Sequence, residues 1–132
     1  MEIVRTLKAR IVLNNSCHYS KLMDTMIAFR NGCNTVSEYI FNNNFPLNQL
    51  IIQKEIYQDI RSKHQLKSQM SISAIRSVVA RYKTVQTQLR KQSVWDGYKK
   101  DNHGKPVRNY IRKDLDFLWK PIVFNRPQLD LV

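Results

Sequence analysis

Two pairs of carboxylates lie close enough along the chain to share a proton or a metal ion: Glu55 with Asp59, and Asp114 with Asp116. The first pair is four residues apart, the spacing that stacks two side chains on one helix face. A nuclease needs more than this, because Mg²⁺ must be held by a cluster of oxygens around the scissile phosphate. The other acids, Glu2, Asp24, Glu38, Asp96, Asp101 and Asp130, are scattered. Each pair also has an ordinary explanation in neighbouring cations: Lys54, Arg61 and Lys63 around the first, Arg112 and Lys113 beside the second. Cys17 and Cys33 form no CxxC pair, and His18 beside Cys17 lacks two more ligands at zinc spacing. No glycine-rich phosphate loop and no GxSxG elbow is present. The residues therefore point to a chain that binds and is not by itself an enzyme, with no metal site and no cofactor.

What it binds is indicated by charge. Across 132 residues, 22 Lys and Arg stand against 10 Asp and Glu, a formal net charge of +12. Nucleic acid is the first partner such an excess suits, and an anionic membrane surface the second. No apolar run approaches the ~20 residues that span a bilayer, and the charged N-terminus has no signal-peptide core. A cytoplasmic chain with no membrane partner is the expectation. Arg76, Lys83 and Arg90 recur every seven residues and so stay on one side of a helix. That stripe reads either as a solvated face or as a line of cations that follows a phosphate backbone. Tyr98, next to Lys99 and Lys100, either stacks a base or anchors a loop.

The elements that position these groups follow from hydrophobic periodicity. "EIVRTLKARIVLN" alternates, with Ile3, Leu7, Ala9, Ile11 and Leu13 on one side and Thr6, Lys8 and Arg10 on the other, Arg5 being the exception on the apolar side, which predicts a half-buried strand over 1–14. From Ser20 the period becomes helical through Leu22, Met23, Met26, Ile27, Cys33, Val36, Tyr39 and Ile40, predicting one helix to about Phe41. Gly32 lies inside it at a cost of ~1 kcal/mol relative to alanine. "NNNFP" ends it. A second helix is predicted from Pro46 or Leu47 to about His64, with Leu47, Leu50, Ile51, Tyr57 and Ile60 as its apolar stripe. A third runs from Ser71 to about Lys91 on Ile72, Ile75, Val79, Tyr82 and Leu89. The polar stretch 95–109, "WDGYKKDNHGKPVRN", reads as a loop, and 110–132 returns to extended character, broken by Pro121 and Pro127.

The order is strand, helices (15–94), loop, strands: an α+β chain whose helical block sits between two β pieces expected to share a sheet. Two or three strands cannot close a barrel, so the β part is expected to be incomplete and the chain to be part of a longer or split protein.

Three segments, "LMDTMIAFRNGCNTVSEYIFNNN", "LNQLIIQKEIYQDIRSKHQLKSQMSISAIRSVVARYK" and "KPIVFNRPQLDLV", resemble the N-terminal part of TnpB-type (OrfB) insertion-sequence proteins, relatives of the type V CRISPR effectors. The resemblance covers nearly the whole chain. It implies a helical recognition bundle of three main helices inserted into a partial wedge-type β-barrel. It implies RNA-guided DNA endonucleases as the full-length relatives, with guide RNA and target DNA as partners in the bacterial cytoplasm or nucleoid. The family's RuvC-type acids and CxxC zinc ribbon are not in this sequence. The missing nuclease part, or a second copy of the chain pairing at a sheet edge, is a further implied partner. By the same resemblance, the starts of helices two and three approach the motif-bearing duplex. That places Asn48, Gln49, Gln69, Ser73 and Arg76 at DNA, with Gln69 and Arg76 suited to reading base edges. Lys83 and Arg90 would follow phosphates or the guide–target heteroduplex, and Lys8, Arg10, Lys120 and Arg126 the guide RNA. The alternatives are a standalone DNA-binding regulator and a protein-interaction module.

Overall fold

A computed structural model describes residues 2–128 as an α+β chain with three helices followed by a two-stranded antiparallel sheet, which is not a closed barrel. Helix α1 (Ser16–Asn42) starts where the Asn15 side chain accepts the Cys17 N–H at 3.0 Å, satisfying a donor that the first helical turn leaves open. The helix runs unbroken through Gly32, which is buried. The glycine has a packing reason, since a Cβ built there would meet Leu66 Cδ1 at 2.9 Å. The "NNNFP" turn takes Asn44 and Phe45 into left-handed backbone, φ 62° and 57°. The Phe45 N–H bonds back to the Ile40 carbonyl at 2.9 Å. A left-handed aromatic residue costs roughly 1–2 kcal/mol, offset here because the Phe45 ring packs on Phe41 and Tyr82.

Helix α2 (Gln49–His64) is capped by Asn48, whose side chain accepts the Leu50 N–H at 3.0 Å. Its last turn carries Arg61, Lys63 and His64, the sign that suits a helix C-terminus. The buried stripe is Ile52, Ile56 and Ile60. Of the expected stripe, Ile60 is buried, Leu47 packs against the core and Tyr57 is half-buried, but Leu50 and Ile51 are 74% and 52% exposed. Both arcs are apolar, and the position of α2 on its two neighbours selects between them. Helix α3 (Ser68–Arg90) buries Ala74, Ile75, Val78, Val79 and Tyr82.

The helices run up, down and up. Asp24, His64 and Met70 surround one cleft at one end of the bundle, and Asn44, Phe45, Gln86 and Asp114 another at the opposite end. Between them lies a single core: Phe29, Cys33, Val36 and Ile40 of α1, the three isoleucines of α2, the α3 residues above, Leu66 and Leu115. No helix among the described residues is long and apolar enough to cross a membrane.

Three expectations for the extended segments change. The loop expected over 95–109 is a hairpin, β1 (Ser93–Lys100) with β2 (Pro106–Arg112). Its turn is held by the Asp101 carboxylate, which accepts the His103 and Lys105 N–H groups at 2.9 and 2.8 Å. Both hairpin faces are exposed, so the strands lack the apolar–polar alternation of a half-buried strand. Residues 2–13, expected as a strand, have no regular structure and are exposed. Alternation makes a strand only where partner backbone is available, and the two hairpin strands pair only with each other.

Finally, of the segment 110–132 expected to return to the sheet, Tyr110, Ile111 and Arg112 do so in β2, while the described part after Asp114 docks on the helices. It begins with a short 3₁₀ turn (Leu115–Phe117). Its backbone is met by side chains: Asn34 at Phe124, Ser37 and Tyr82 at Ile122, and Arg30 at the Asn125 carbonyl. Leu118, Ile122 and Phe124 pack against the core. The end of "NRPQLDLV", residues 129–132, lies outside the described residues.

Candidate nucleic-acid interface

On α3, Gln69, Arg76 and Lys83 are exposed at successive steps of seven. Neither Arg76 nor Lys83 has an ion-pair partner among the described residues, so two charges on one helical line are open to a polyanion. Ser73 does not share this surface. It is 4% exposed and turned into the bundle, which removes it from reach of a duplex.

Arg90 continues the line but is engaged. Its guanidinium donates to Asp114 Oδ2 from Nε at 2.9 Å and from Nη2 at 2.7 Å, while its carbonyl accepts from Arg112 Nε at 3.2 Å. Asp114 also takes the Gln86 amide at 3.0 Å and the Leu115 N–H at 2.7 Å. These bonds hold its carboxyl well below the usual range, at about 2, with the Leu115 N–H the largest cause, then Gln86 and Arg90. Arg90 thus fastens the hairpin's exit to the end of α3.

Asn48 and Gln49 do not come together with Gln69. They start α2, at the end of the bundle where Gln86 of α3 lies, whereas Gln69 is in the first turn of α3 at the other end, beside Met70, which lines a cleft with His64. A helix of 16 residues separates them, about 24 Å at 1.5 Å per residue. Asn48 Oδ1 is also committed to its cap.

The four remaining cations are exposed but divided. Lys8 and Arg10 are in the irregular N-terminal segment, and Lys120 and Arg126 in the segment docked on α1. At the junction of α2 and α3, Arg61 and Lys67 line an open hollow with Gln58, Ser62, Gln65 and Leu66. Nearby, burial and the adjacent Lys63 push the His64 imidazole below its ordinary value, and its Nε2 lies 2.7 Å from Thr35 Oγ1. No three metal-ligating side chains converge among the described residues.

The hairpin contributes groups that periodicity left in a loop. Trp95, Tyr98, Arg108 and Tyr110 line one cleft of about 300 Å³. The signal was present in "SVWDGYKK" and "PVRNYIR", two aromatic and β-branched runs flanking "DNHG". Comparison of the chain with family models, curated proteins and solved structures finds no match.

Proposed function

We propose that this chain binds nucleic acid, as the recognition and partial wedge portion of a TnpB-like RNA-guided nuclease. In this reading α3 presents Arg76 and Lys83 to target DNA, and the hairpin with the segment after it belongs to the wedge side that holds guide RNA. The chemistry of cutting belongs to parts of such a nuclease outside these residues. The observation that carries the reading is the exposed Arg76–Lys83 line, without an ion-pair partner among the described residues, on a chain of net charge +12. The helical block followed by a β element supports the wedge and recognition assignment, together with the sequence resemblance.

The test is binding of a library of short duplexes to the purified protein, together with sequencing of any RNA that co-purifies. The reading expects RNA from one defined source, and a preference for one short duplex motif that Gln69→Ala with Arg76→Ala relaxes. Uniform weakening on all duplexes would place both residues on phosphates. Random cellular RNA and no duplex preference would leave only nonspecific charge.

A second reading, a protein-interaction module, is favoured by one observation. Val94, Val107 and Ile111 are exposed on the hairpin, and Ile3, Val4, Leu7, Ile11 and Val12 are exposed along the N-terminal segment. A concentration-dependent dimer that forms without nucleic acid would support it.

A further inference from the structure

We propose that the Trp95–Tyr98–Arg108–Tyr110 face of the hairpin is a stacking site for unpaired bases of single-stranded RNA. The inference rests on the nucleic-acid reading above and names a site that reading does not contain.

Register brings the four together. Trp95 pairs with Tyr110 and Tyr98 with Arg108, while Arg108 and Tyr110, two apart on β2, share a face. Trp95 and Tyr98 are three apart, which in a regular strand would put them on opposite faces. The irregularity between them, with Gly97 at φ 76°, absorbs the extra residue and turns both rings the same way. The two rings then meet edge to face, centroids 5.9 Å apart.

These rings have no core to fill. Trp95, Tyr98 and Tyr110 are 57%, 67% and 52% exposed, and none joins the hydrophobic cluster. On the same face Arg108 lines the cleft and Lys100 follows two residues after Tyr98, neither ion-paired among the described residues. Exposed aromatics amid unpaired cations are the surface on which bases stack while phosphates are held alongside. A cleft of about 300 Å³ is at the small end of ligand sites and suits one nucleotide. A purely apolar partner would instead choose the opposite hairpin face, where Val94, Val107 and Ile111 lie. Unpaired bases are a feature of RNA loops and ends more than of cellular DNA, which commits the site to RNA.

The experiment uses the full chain with Trp119→Phe, so that Trp95 is the only indole; Trp119 is 94% exposed and outside the cleft. An oligouridylate of about twelve nucleotides, the matching oligothymidylate and a duplex DNA are titrated in parallel, with Trp95 emission and affinity both read. Tyr98→Leu and Arg108→Ala test the face, and Tyr98→Phe keeps the ring. Backbone NMR shifts of β1 and β2 verify the hairpin in each variant.

The expected result is Trp95 quenching by the oligouridylate and about a tenfold loss of RNA affinity in Tyr98→Leu and Arg108→Ala. Tyr98→Phe should bind like the parent, and duplex affinity should hold in Tyr98→Leu. If RNA and duplex both bind but neither variant changes RNA affinity and Trp95 is unquenched, the hairpin site is overturned and the nucleic-acid reading stands. If oligothymidylate binds as tightly, with the same dependence on Tyr98, the commitment to RNA is overturned. If no nucleic acid binds at all, both readings fall. Should Tyr98→Leu disturb the hairpin, the Arg108→Ala and Tyr98→Phe comparison decides.

Discussion

The Asn34 side chain holds the Phe124 peptide from both ends: its Nδ2 donates to the Phe124 carbonyl at 3.1 Å, and its Oδ1 accepts the Phe124 N–H at 2.7 Å. A single amide thus supplies what a neighbouring strand would have supplied. Two residues earlier, Tyr82 Oη accepts the Ile122 N–H and Ser37 Oγ donates to the Ile122 carbonyl. The segment is extended without being part of a sheet.

Asn34→Ala leaves a part-buried donor and acceptor unmatched and should cost about 1–3 kcal/mol of stability. Asn34→Asp keeps the acceptor but sets a carboxylate beside the Phe124 carbonyl, and should cost at least as much at neutral pH. Urea unfolding gives the loss, and faster amide exchange at Phe124 locates it. Unchanged exchange there would rule out the clamp.

Tyr82→Phe keeps the buried ring against Phe45 but removes the hydroxyl that bonds the Ile122 N–H at 3.2 Å and the Ser37 carbonyl at 3.1 Å. The expected loss is about 1–2 kcal/mol. Both substitutions act on one docked segment, so the double variant should lose less than the sum. Strict additivity in a double-mutant cycle would show that the two contacts are independent.

Gly32→Ala gains up to ~1 kcal/mol of helix propensity and meets only the terminal methyl of Leu66, so thermal unfolding should shift little. Gly32→Val adds branches toward Ile60 and His64, 3.7 and 3.9 Å from the would-be Cβ. It should destabilise by about 1–3 kcal/mol through overpacking. Equal melting of the two variants would contradict the close approach.

Asp114 sets an acid dependence. Its folded carboxyl titrates at about 2, below the unfolded value of about 3.9. Its stabilisation is therefore fully present above about pH 4 and is lost as pH falls through about 2. Asp114→Asn should remove that part of the acid sensitivity and loosen the hairpin's exit. The Leu115 amide shift followed by NMR reports it, and a midpoint near 4 would show that the network does not hold in solution.

Arg76→Ala and Lys83→Ala should each weaken duplex binding and lower the salt slope of the affinity by about 0.9 if each side chain meets a phosphate. Arg90→Ala should behave differently, raising the Asp114 titration and mobilising the hairpin, because Arg90 is bonded within the chain. Affinity against salt, measured for all three, separates the two roles.

Most of the helical architecture was legible in the sequence because a helix is a local object. Its period and its stop are written within a few residues, as at "NNNFP", and Gly32 was tolerated as the period required. The caps at Asn15 and Asn48, by contrast, set starts at Ser16 and Gln49 that differ from the expected Ser20 and Pro46 or Leu47. The face that α2 buries was not so written, since Leu50 and Ile51 are as apolar as Ile52 and Ile56.

The candidate sites divide along the same line. The Arg76–Lys83 line followed from spacing, but that Arg90 is tied to Asp114, that Ser73 is buried and that Asn48 lies a helix length from Gln69 depend on packing. Extended segments showed the limit most clearly. Residues 2–13 and 120–128 both read as strands, yet the first has no partner among the described residues and the second bonds to side chains of α1 and α3. Helix, charge and composition were determined by the sequence through local geometry. Partners for the extended chain, and the bulge that turns Trp95 and Tyr98 to one face, were decided by tertiary structure, because backbone hydrogen bonds in extended chain must be found at a distance.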